Sequence, residues 1–287
     1  MENELWKKIY QMIQKVGKNK RPKRAVYTDA DIVLTYIWSV LHDRPIYWGC
    51  KKSNWPIYYR RKPLPDPSTM TRRLRTEGVQ QLLSDVEKQM INCIPAHFCR
   101  WIDAKPLKVS RHSKDKQAGF GYAEKGMANG YKLHAIADKS QGFVVWAVKP
   151  MNHHEITVAD ELISRLDWEG YLVGDGAYDK NKLYDSAGEK SIQLIAPQRI
   201  KDSKGIGHRR HSPYRLKSLS MQKFSVGNLL LESRNNIETM FGQLTNLGCG
   251  LSPLPNWVRT LFRVEMWVRA KIIIYHIWRQ KNATYAA

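Results

Sequence analysis

The sequence predicts an α/β fold, in which a mixed sheet flanked by helices follows a helical, basic N-terminal region. Apolar residues recur at helical spacing up to about residue 98. From about residue 99, short apolar runs bounded by turn residues indicate strands, and helical patterns separate the later runs. We therefore divide the 287 residues into a helical region, 1–98, and an α/β domain, 99–287.

The N-terminal region contains several helix signals. Apolar residues between positions 5 and 16 fall on one helical face. Thr28 is a good N-cap for a second helix that ends near His42. After the Pro-rich stretch 63–67, Ser68 opens a short basic helix.

This short helix carries Arg72, Arg73 and Arg75, and a further helix follows over 79–91. A turn before a short basic helix resembles the second half of a helix-turn-helix, so we expect DNA contacts here. The alternative is a solvated basic face on a helix that only packs. Whether this helix reads specific bases stays open.

The α/β domain begins with an apolar run that ends at Asp103. Alternating residues over 129–137 and the run 143–148 flank a Gln-Gly turn and predict a hairpin. The remaining elements alternate, and we expect helices over 155–166 and 180–187 and strands over 171–175 and 192–196.

Two further segments complete the domain. Residues 199–217 hold seven Lys or Arg against one acid and show no apolar periodicity, so we expect a basic surface loop. Arg209, Arg210, Arg215 and Lys217 are its candidate DNA contacts. Residues 257–279 predict a long amphipathic helix whose apolar stripe faces the core.

The charge balance favours a polyanionic partner. Lys and Arg total 47 against 26 acids, a formal net charge of +21, which makes DNA or RNA the first candidate. A merely soluble basic protein is the alternative. Because 43% of the residues are hydrophobic, the chain is not a disordered basic tail.

The cysteines and the terminal segments indicate in which cellular compartment the protein is expected. No C-x-x-C pair occurs among the four cysteines, so we expect reduced thiols rather than a zinc ribbon or a disulfide framework. No apolar segment follows the N-terminus, and the C-terminal apolar run 272–278 is too short to span a bilayer. We expect a soluble, intracellular protein without a membrane partner.

Three carboxylates carry the chemical prediction. Asp103 and Asp175 end apolar runs, and Glu238 lies in a helical segment, 229–244, one turn after Arg234. Two strand-end aspartates and a helix-borne glutamate can hold a pair of divalent metals. Asp103 would bridge both, because the first strand of such a sheet is central. Each acid also has a structural alternative, as a turn residue or an ion-pair partner.

The Arg234–Glu238 spacing is informative in itself. An i, i+4 ion pair stabilises a helix better when the acid comes first, and here the arginine comes first. We therefore favour Arg234 as a partner that orients Glu238 or as a phosphate clamp.

Four stretches of the α/β domain carry a family resemblance: 101–103, 129–135, 174–179 and 234–242. Together they resemble an insertion-sequence transposase of the DDE type, with an RNase H-like catalytic domain. The resemblance covers roughly 99–280. Separations of 72 residues between the two aspartates and 63 to the glutamate suit this group.

The resemblance implies that the protein binds the ends of its own element in double-stranded DNA, cuts there, and joins the 3'-hydroxyls to target DNA. Asp103, Asp175 and Glu238 would be the catalytic metal ligands for two Mg2+ ions, with Mn2+ able to substitute. Arg234 would assist them, and Lys132 of the second motif would contact DNA. A homodimer assembled on DNA and a prokaryotic, nucleoid-associated cytoplasmic setting are further expectations.

Two positions depart from one branch of the family. That branch has a Tyr three residues before the Arg and a Lys seven after the Glu, where this chain has Leu231 and Thr245. Contact with the terminal phosphate would then fall to Lys223 and the basic loop. An RNase H-like nuclease without strand transfer, or a catalytically inactive DNA-binding derivative, are the alternative functions.

Overall fold

The computed structural model describes residues 2–17, 25–59, 63–110, 112–123, 126–198, 211–247, 250–251 and 253–286. The chain divides into two compact units. One, the helical unit, comprises Met1–Cys93, Leu244–Leu251 and Met266–Ala287. The other, the sheet unit, comprises Ile94–Gln243 and Ser252–Glu265.

The helical unit begins with five α-helices, and two short 3₁₀ segments lie between the third and fourth. The helices are α1 (Glu2–Val16), α2 (Asp29–Leu41), α3 (Ile46–Gly49), α4 (Pro67–Arg73) and α5 (Glu77–Asn92).

Side-chain caps fix where two of these helices start. The Thr28 hydroxyl accepts a hydrogen bond from the Asp31 amide, and the Asp31 carboxylate accepts one from the Thr28 amide, so the expected N-cap of α2 is confirmed. At α4, Asp66 accepts hydrogen bonds from the Ser68 and Thr69 amides. This helix therefore starts one residue earlier than expected, because Pro67 suits a first helical position.

The sheet unit contains a six-stranded mixed sheet, ordered β2-β3-β1-β5-β6, with β4 paired to β3. Strands β1, β5 and β6 run parallel, and β1, β2 and β4 each pair antiparallel with β3. The strands are β1 (Cys99–Lys108), β2 (Gly119–Ala123), β3 (Gly126–Asp138), β4 (Gly142–Pro150), β5 (Gly170–Val173) and β6 (Ile192–Ile195).

The predicted fold class is confirmed, and β1 is central as expected, but two strand predictions were incomplete. Strand β1 continues to Lys108, so Asp103 lies in mid-strand rather than at its end. Pairing with β3 as far as Gly130 sustains this extension, although its residues lack an apolar pattern. Strand β2 was not expected, because its aromatic side chains Phe120 and Tyr122 are exposed and no apolar face marks it.

Five helices accompany the strands: α6 (Glu155–Ser164), α7 (Asn181–Gly188), α8 (Pro213–Met221), α9 (Ser225–Glu232) and α10 (Asn235–Asn246). One sheet face, bearing Ile102 and Ile136, packs with α6 and α7 in a buried apolar cluster. On the other face, Trp101 donates a hydrogen bond to Ser233, and Phe143 packs on Phe241 of α10.

Two helical predictions in this unit need correction. The expected basic loop is helical from Pro213 onward, and residues 199–210 lie outside the described ranges. Tertiary contacts, rather than an apolar stripe, stabilise α8, because its Arg215 pairs with the buried Asp179. The expected helix over 229–244 is broken by a turn at Ser233 and Arg234, which separates α9 from α10.

The last helix, α11 (Leu261–Ala286), starts four residues later than expected. It is not amphipathic over its middle, since nearly every residue from 266 to 277 is buried. A helix that is apolar all round fits an interior position. Even Lys271 is buried there, and its ammonium bonds the Val40 carbonyl and the Asp43 carboxylate. Across the described residues, none of the helices is long and apolar enough to cross a membrane.

Candidate active site

Asp103 lies in the middle of the central strand, opposite Ala135 of β3. One carboxylate oxygen accepts a hydrogen bond of 2.8 Å from the Ala104 amide, and the side chain is 21% exposed. Burial raises the pKa of Asp103 to about 6, against the effect of the Ala104 amide. The like charges of Asp175 and Glu238 raise this pKa further, and Arg234 opposes them.

Asp175 reaches the same neighbourhood through strand pairing. Trp101 of β1 pairs with Val173 of the parallel strand β5. Asp103 comes two positions after Trp101, and Asp175 comes two positions after Val173. Asp175 caps a 3₁₀ turn over Gly176–Tyr178, where its Oδ1 accepts a hydrogen bond of 2.8 Å from the Ala177 amide. Asp175 can therefore act both as a turn residue and as a metal ligand, because the cap fixes the orientation of its carboxylate.

A tight packing contact determines where the chain leaves β5. A Cβ atom on Gly174 would lie 2.8 Å from the ring of Tyr178 and 3.0 Å from Ile102. Tyr178 is only 2% exposed, and its pKa is raised well above the usual value by burial and then by the charges of nearby acids, Asp103 first. Only glycine fits between the ring and the strand, so residue 174 lets Tyr178 pack beneath the carboxylates.

The turn between α9 and α10 places the third acid. The Ser233 hydroxyl donates to the Leu230 carbonyl at 2.6 Å and accepts from Trp101 Nε1 at 2.8 Å. This side-chain bonding competes with helix continuation. Because α10 restarts at Asn235, Glu238 lies in its first turn, where the helix dipole favours a carboxylate.

Arg234 links two of the carboxylates. Its Nη2 donates to Oε1 of Glu238 at 2.5 Å, and its Nη1 lies 3.9 Å from Oδ2 of Asp103. The contact with Glu238 supports the expected role of Arg234 as a partner that orients this glutamate. One guanidinium among three carboxylates leaves the site with net negative charge.

The donor set suits a hard divalent cation, because carboxylate oxygens are the ligands that Mg2+ prefers. Mutual repulsion contributes to the raised pKa of Asp103, which indicates that additional positive charge would be favourable there. In the described ranges, no three His, Cys, Asp or Glu side chains are grouped closely enough to hold an ion as they stand. The chemistry therefore fits a metal centre, and the carboxylates would have to draw closer around the ion.

A family comparison decides what kind of protein holds this site. The family described as Transposase DDE domain matches residues 97–275, more than half of the chain. The chain belongs to the DDE transposase family. The resemblance that we drew from the four motifs is confirmed at this level.

A search of curated protein sequences gave no match. Among solved structures, the transposase is similar to a piggyBac transposase in a cryo-EM synaptic complex with hairpin DNA. The TM-score is 0.46 and the identity 10%, with 99% of this chain and 73% of that chain covered.

The arginines of the short basic helix have different surroundings in the transposase. Arg72 and Arg75 are exposed on and just after α4. Arg73 instead donates to the buried Asp29 carboxylate at 2.6 Å and to the Tyr27 carbonyl at 3.1 Å. Arg73 therefore ties α4 to the start of α2.

Other predicted DNA contacts also differ. Arg209 and Arg210 lie outside the described residues. Lys132 forms an ion pair with Glu155 at 2.5 Å, and Arg215 forms a bidentate ion pair with Asp179. The exposed side chains are Lys217 on α8 and Lys223 just after it.

Sequence reasoning overlooked a second basic group. His112, Lys114 and Lys116 occupy the connection after β1, and Arg259 precedes α11. The alternating charges of residues 111–116 were visible in the sequence. Nothing in the chain order, however, indicates that Arg259 lines the same cavity.

Proposed function

We propose that this transposase binds the ends of its own insertion element, cleaves phosphodiester bonds there, and joins the 3'-hydroxyls to target DNA. The observation that carries the proposal is that the charges of Asp175, Glu238 and Arg234 all act on Asp103, in a chain of this family. Carboxylates coupled in this way suit two-metal phosphoryl transfer.

The roles of the residues follow from their placement. Asp103, Asp175 and Glu238 would hold two Mg2+ ions, or Mn2+ in their place, and the bound ions would supply charge neutralisation for the in-line displacement. Arg234 orients Glu238 through its 2.5 Å hydrogen bond. The Ala104 and Ala177 amides fix the other two carboxylates.

DNA contact is proposed for the exposed cations Arg72, Arg75, Lys217 and Lys223, together with Arg209 and Arg210. The formal net charge of +21 supports a DNA partner. Arg73, Lys132 and Arg215 have carboxylate partners, so we assign them a role in holding the fold. A homodimer on the paired ends, and a prokaryotic cytoplasm with nucleoid association, belong to the same proposal.

The test is a product analysis. Purified transposase, wild type and Asp175→Asn, is incubated with Mg2+ and a plasmid that carries the gene with its native flanks. Excised or joined DNA from the wild type alone supports the proposal and identifies the ends. Nicked DNA without joining would support a nuclease instead. DNA binding without any metal-dependent product would support an inactive DNA-binding derivative.

A further inference from the structure

A cavity of about 720 Å³ lies in the sheet unit, away from the carboxylates. Its walls are the connection after β1, which contributes Lys114, Asp115 and Lys116, and the segment that leads into α11, which contributes Arg259 and Thr260. We call this cavity, with those five residues and His112, the basic basin.

The one acid of the basin is committed to holding its walls together. Oδ2 of Asp115 accepts hydrogen bonds of 2.8 Å from the Tyr131 hydroxyl and from the Thr260 amide. Oδ1 accepts a third, of 3.1 Å, from the Gln117 amide. Gln117 in turn accepts a hydrogen bond of 2.7 Å from the Leu261 amide. Asp115 thus fastens the β1–β2 connection to the start of α11.

This fastening also holds a strained residue. Thr260 has a φ of +72°, a left-handed conformation that β-branched residues rarely adopt. The hydrogen bond from its amide to Asp115 helps to hold this conformation. The backbone of the β1–β2 connection is therefore fixed at Asp115, between Lys114 and Lys116.

The cations of the basin face outward. Lys114 and Lys116 flank Asp115 and are exposed. Within the described part of the chain, neither ammonium forms an ion pair with a carboxylate, unlike Lys132, Lys149 and Lys182. Arg259 is held at the rim, since its Nη1 donates to the Pro255 and Val258 carbonyls. The basin therefore offers three cations against one acid whose oxygens are already in use.

The chemistry of the basin selects the ligand. A small anion needs several donors that converge in an enclosed space, whereas these lysines lie exposed around an open cavity. Long, flexible cations on a fixed backbone are typical contacts for the phosphates of a nucleic-acid strand. We infer that the basic basin is a second DNA-contacting site of this transposase, which binds backbone phosphates through Lys114 and Lys116 with Arg259 at its rim.

The distance along β1 is short enough for one DNA duplex to contact both sites. Lys108, at the end of the strand, lies five positions after Asp103, a span of roughly 17 Å at about 3.3 Å per residue. The basin adjoins this end of the strand, because Tyr131 pairs with Leu107 and donates its hydroxyl hydrogen to Asp115. At about 3.4 Å per base pair, a duplex bound at Asp103 needs to extend only about five base pairs along β1 to reach the basin. This inference rests on the proposed function, because DNA is its ligand.

The test compares two double variants that remove the same charge. Lys114→Gln with Lys116→Gln alters the basin. Lys139→Gln with Lys190→Gln alters exposed positions beside the starts of β1 and β6, at the opposite end of the strands from the basin. Binding of a fluorescent DNA duplex is measured in EDTA over a range of salt concentrations, so that cleavage plays no part.

We expect the basin variant to bind about tenfold more weakly or worse, and its plot of log K against log salt to lose roughly two units of slope. The control variant should keep the wild-type slope. Equal slopes in both double variants would overturn the inference while leaving the proposed function intact. Absence of DNA binding by the wild type would overturn the proposed function itself.

Folding is checked by thermal melting of each protein. Should the basin double variant melt at a lower temperature, Lys114→Gln and Lys116→Gln are measured singly. Each is then expected to lose about one unit of slope. Unchanged slopes in both single variants would also overturn the inference.

Discussion

The Arg234 guanidinium donates a hydrogen bond of 2.5 Å to the Glu238 carboxylate, across the turn that starts α10. The arginine lies outside the helix that carries the glutamate, so the pair is not an ordinary helix-surface contact. The same guanidinium is 3.9 Å from Asp103. Arg234 therefore holds positive charge between two proposed metal ligands.

Replacing Arg234 tests this relationship. Arg234→Lys keeps the charge and loses the planar fork that orients Glu238. We expect single-turnover DNA cleavage to slow roughly 10- to 100-fold, as for other partners that orient metal ligands. Higher Mg2+ concentration should restore part of the rate, because the ligand is displaced rather than removed. An unchanged rate at all Mg2+ concentrations would contradict the orienting role.

Arg215 and Lys217 lie two residues apart on α8 and allow a matched comparison. The Asp179 side chain is 1% exposed and accepts two hydrogen bonds from the Arg215 guanidinium. We expect Arg215→Gln to lower the free energy of unfolding by roughly 3 kcal/mol, since it removes both of these charge-assisted bonds from a buried carboxylate. Lys217→Gln should leave the melting temperature unchanged and weaken DNA binding. Equal melting temperatures for both variants would show that the Asp179 pair contributes little.

Gly174→Ala tests the packing beneath the carboxylates. The new Cβ would lie 2.8 Å from the Tyr178 ring, so either the ring or the strand must shift. We expect a loss of about 1–3 kcal/mol in unfolding free energy and slower cleavage, because Asp175 follows directly. Gly242→Ala is the control, since nothing lies within 4 Å of its added Cβ and alanine favours α10. Equal melting temperatures for the two variants would show that the close contact at Gly174 does not contribute to stability.

His134 predicts a pH dependence of stability. It is 1% exposed, and both ring nitrogens lack a hydrogen-bond partner among the described residues. Burial lowers its pKa to about 4, and the charges of Lys132 and Lys149 lower it while that of Glu155 raises it. In the unfolded chain the imidazole takes up a proton near pH 6.5, so the folded state loses stability as the pH falls from about 6.5 toward 4.

The corresponding variant is His134→Leu, which cannot titrate. Its melting temperature should match that of the wild type at pH 8 or exceed it, because a buried polar group without partners is removed. The difference in unfolding free energy should grow by roughly 3 kcal/mol as the pH approaches 4. Parallel melting curves for the two proteins across this range would contradict the assignment.

Local signals predicted much of this architecture. Thr28 and the acid three residues later specify a capping box, and α2 starts where they place it. The Gln-Gly turn between apolar runs specifies the β3–β4 hairpin. The three acids were also visible, because apolar runs lead up to Asp103 and Asp175 and a helical pattern surrounds Glu238.

Other features depend on distant contacts. The break between α9 and α10 depends on Ser233, whose hydroxyl bonds Trp101 on a strand far away in the chain. Strand β2 forms through pairing with β3, although its exposed aromatic residues give no apolar face. The partners of Arg73, Lys132 and Arg215 were likewise hidden, since a basic residue looks the same in sequence whether it meets a carboxylate or a phosphate.

The most direct test of the proposed active site is the single-turnover cleavage rate of four variants on DNA that carries the element ends. Asp103→Asn, Asp175→Asn and Glu238→Gln each remove one proposed ligand. Glu232→Gln removes an exposed carboxylate at the end of α9. We predict losses of about a thousandfold or more for the three and a wild-type rate for the fourth. Wild-type cleavage by any of the three would contradict the assignment of that carboxylate to the metal centre.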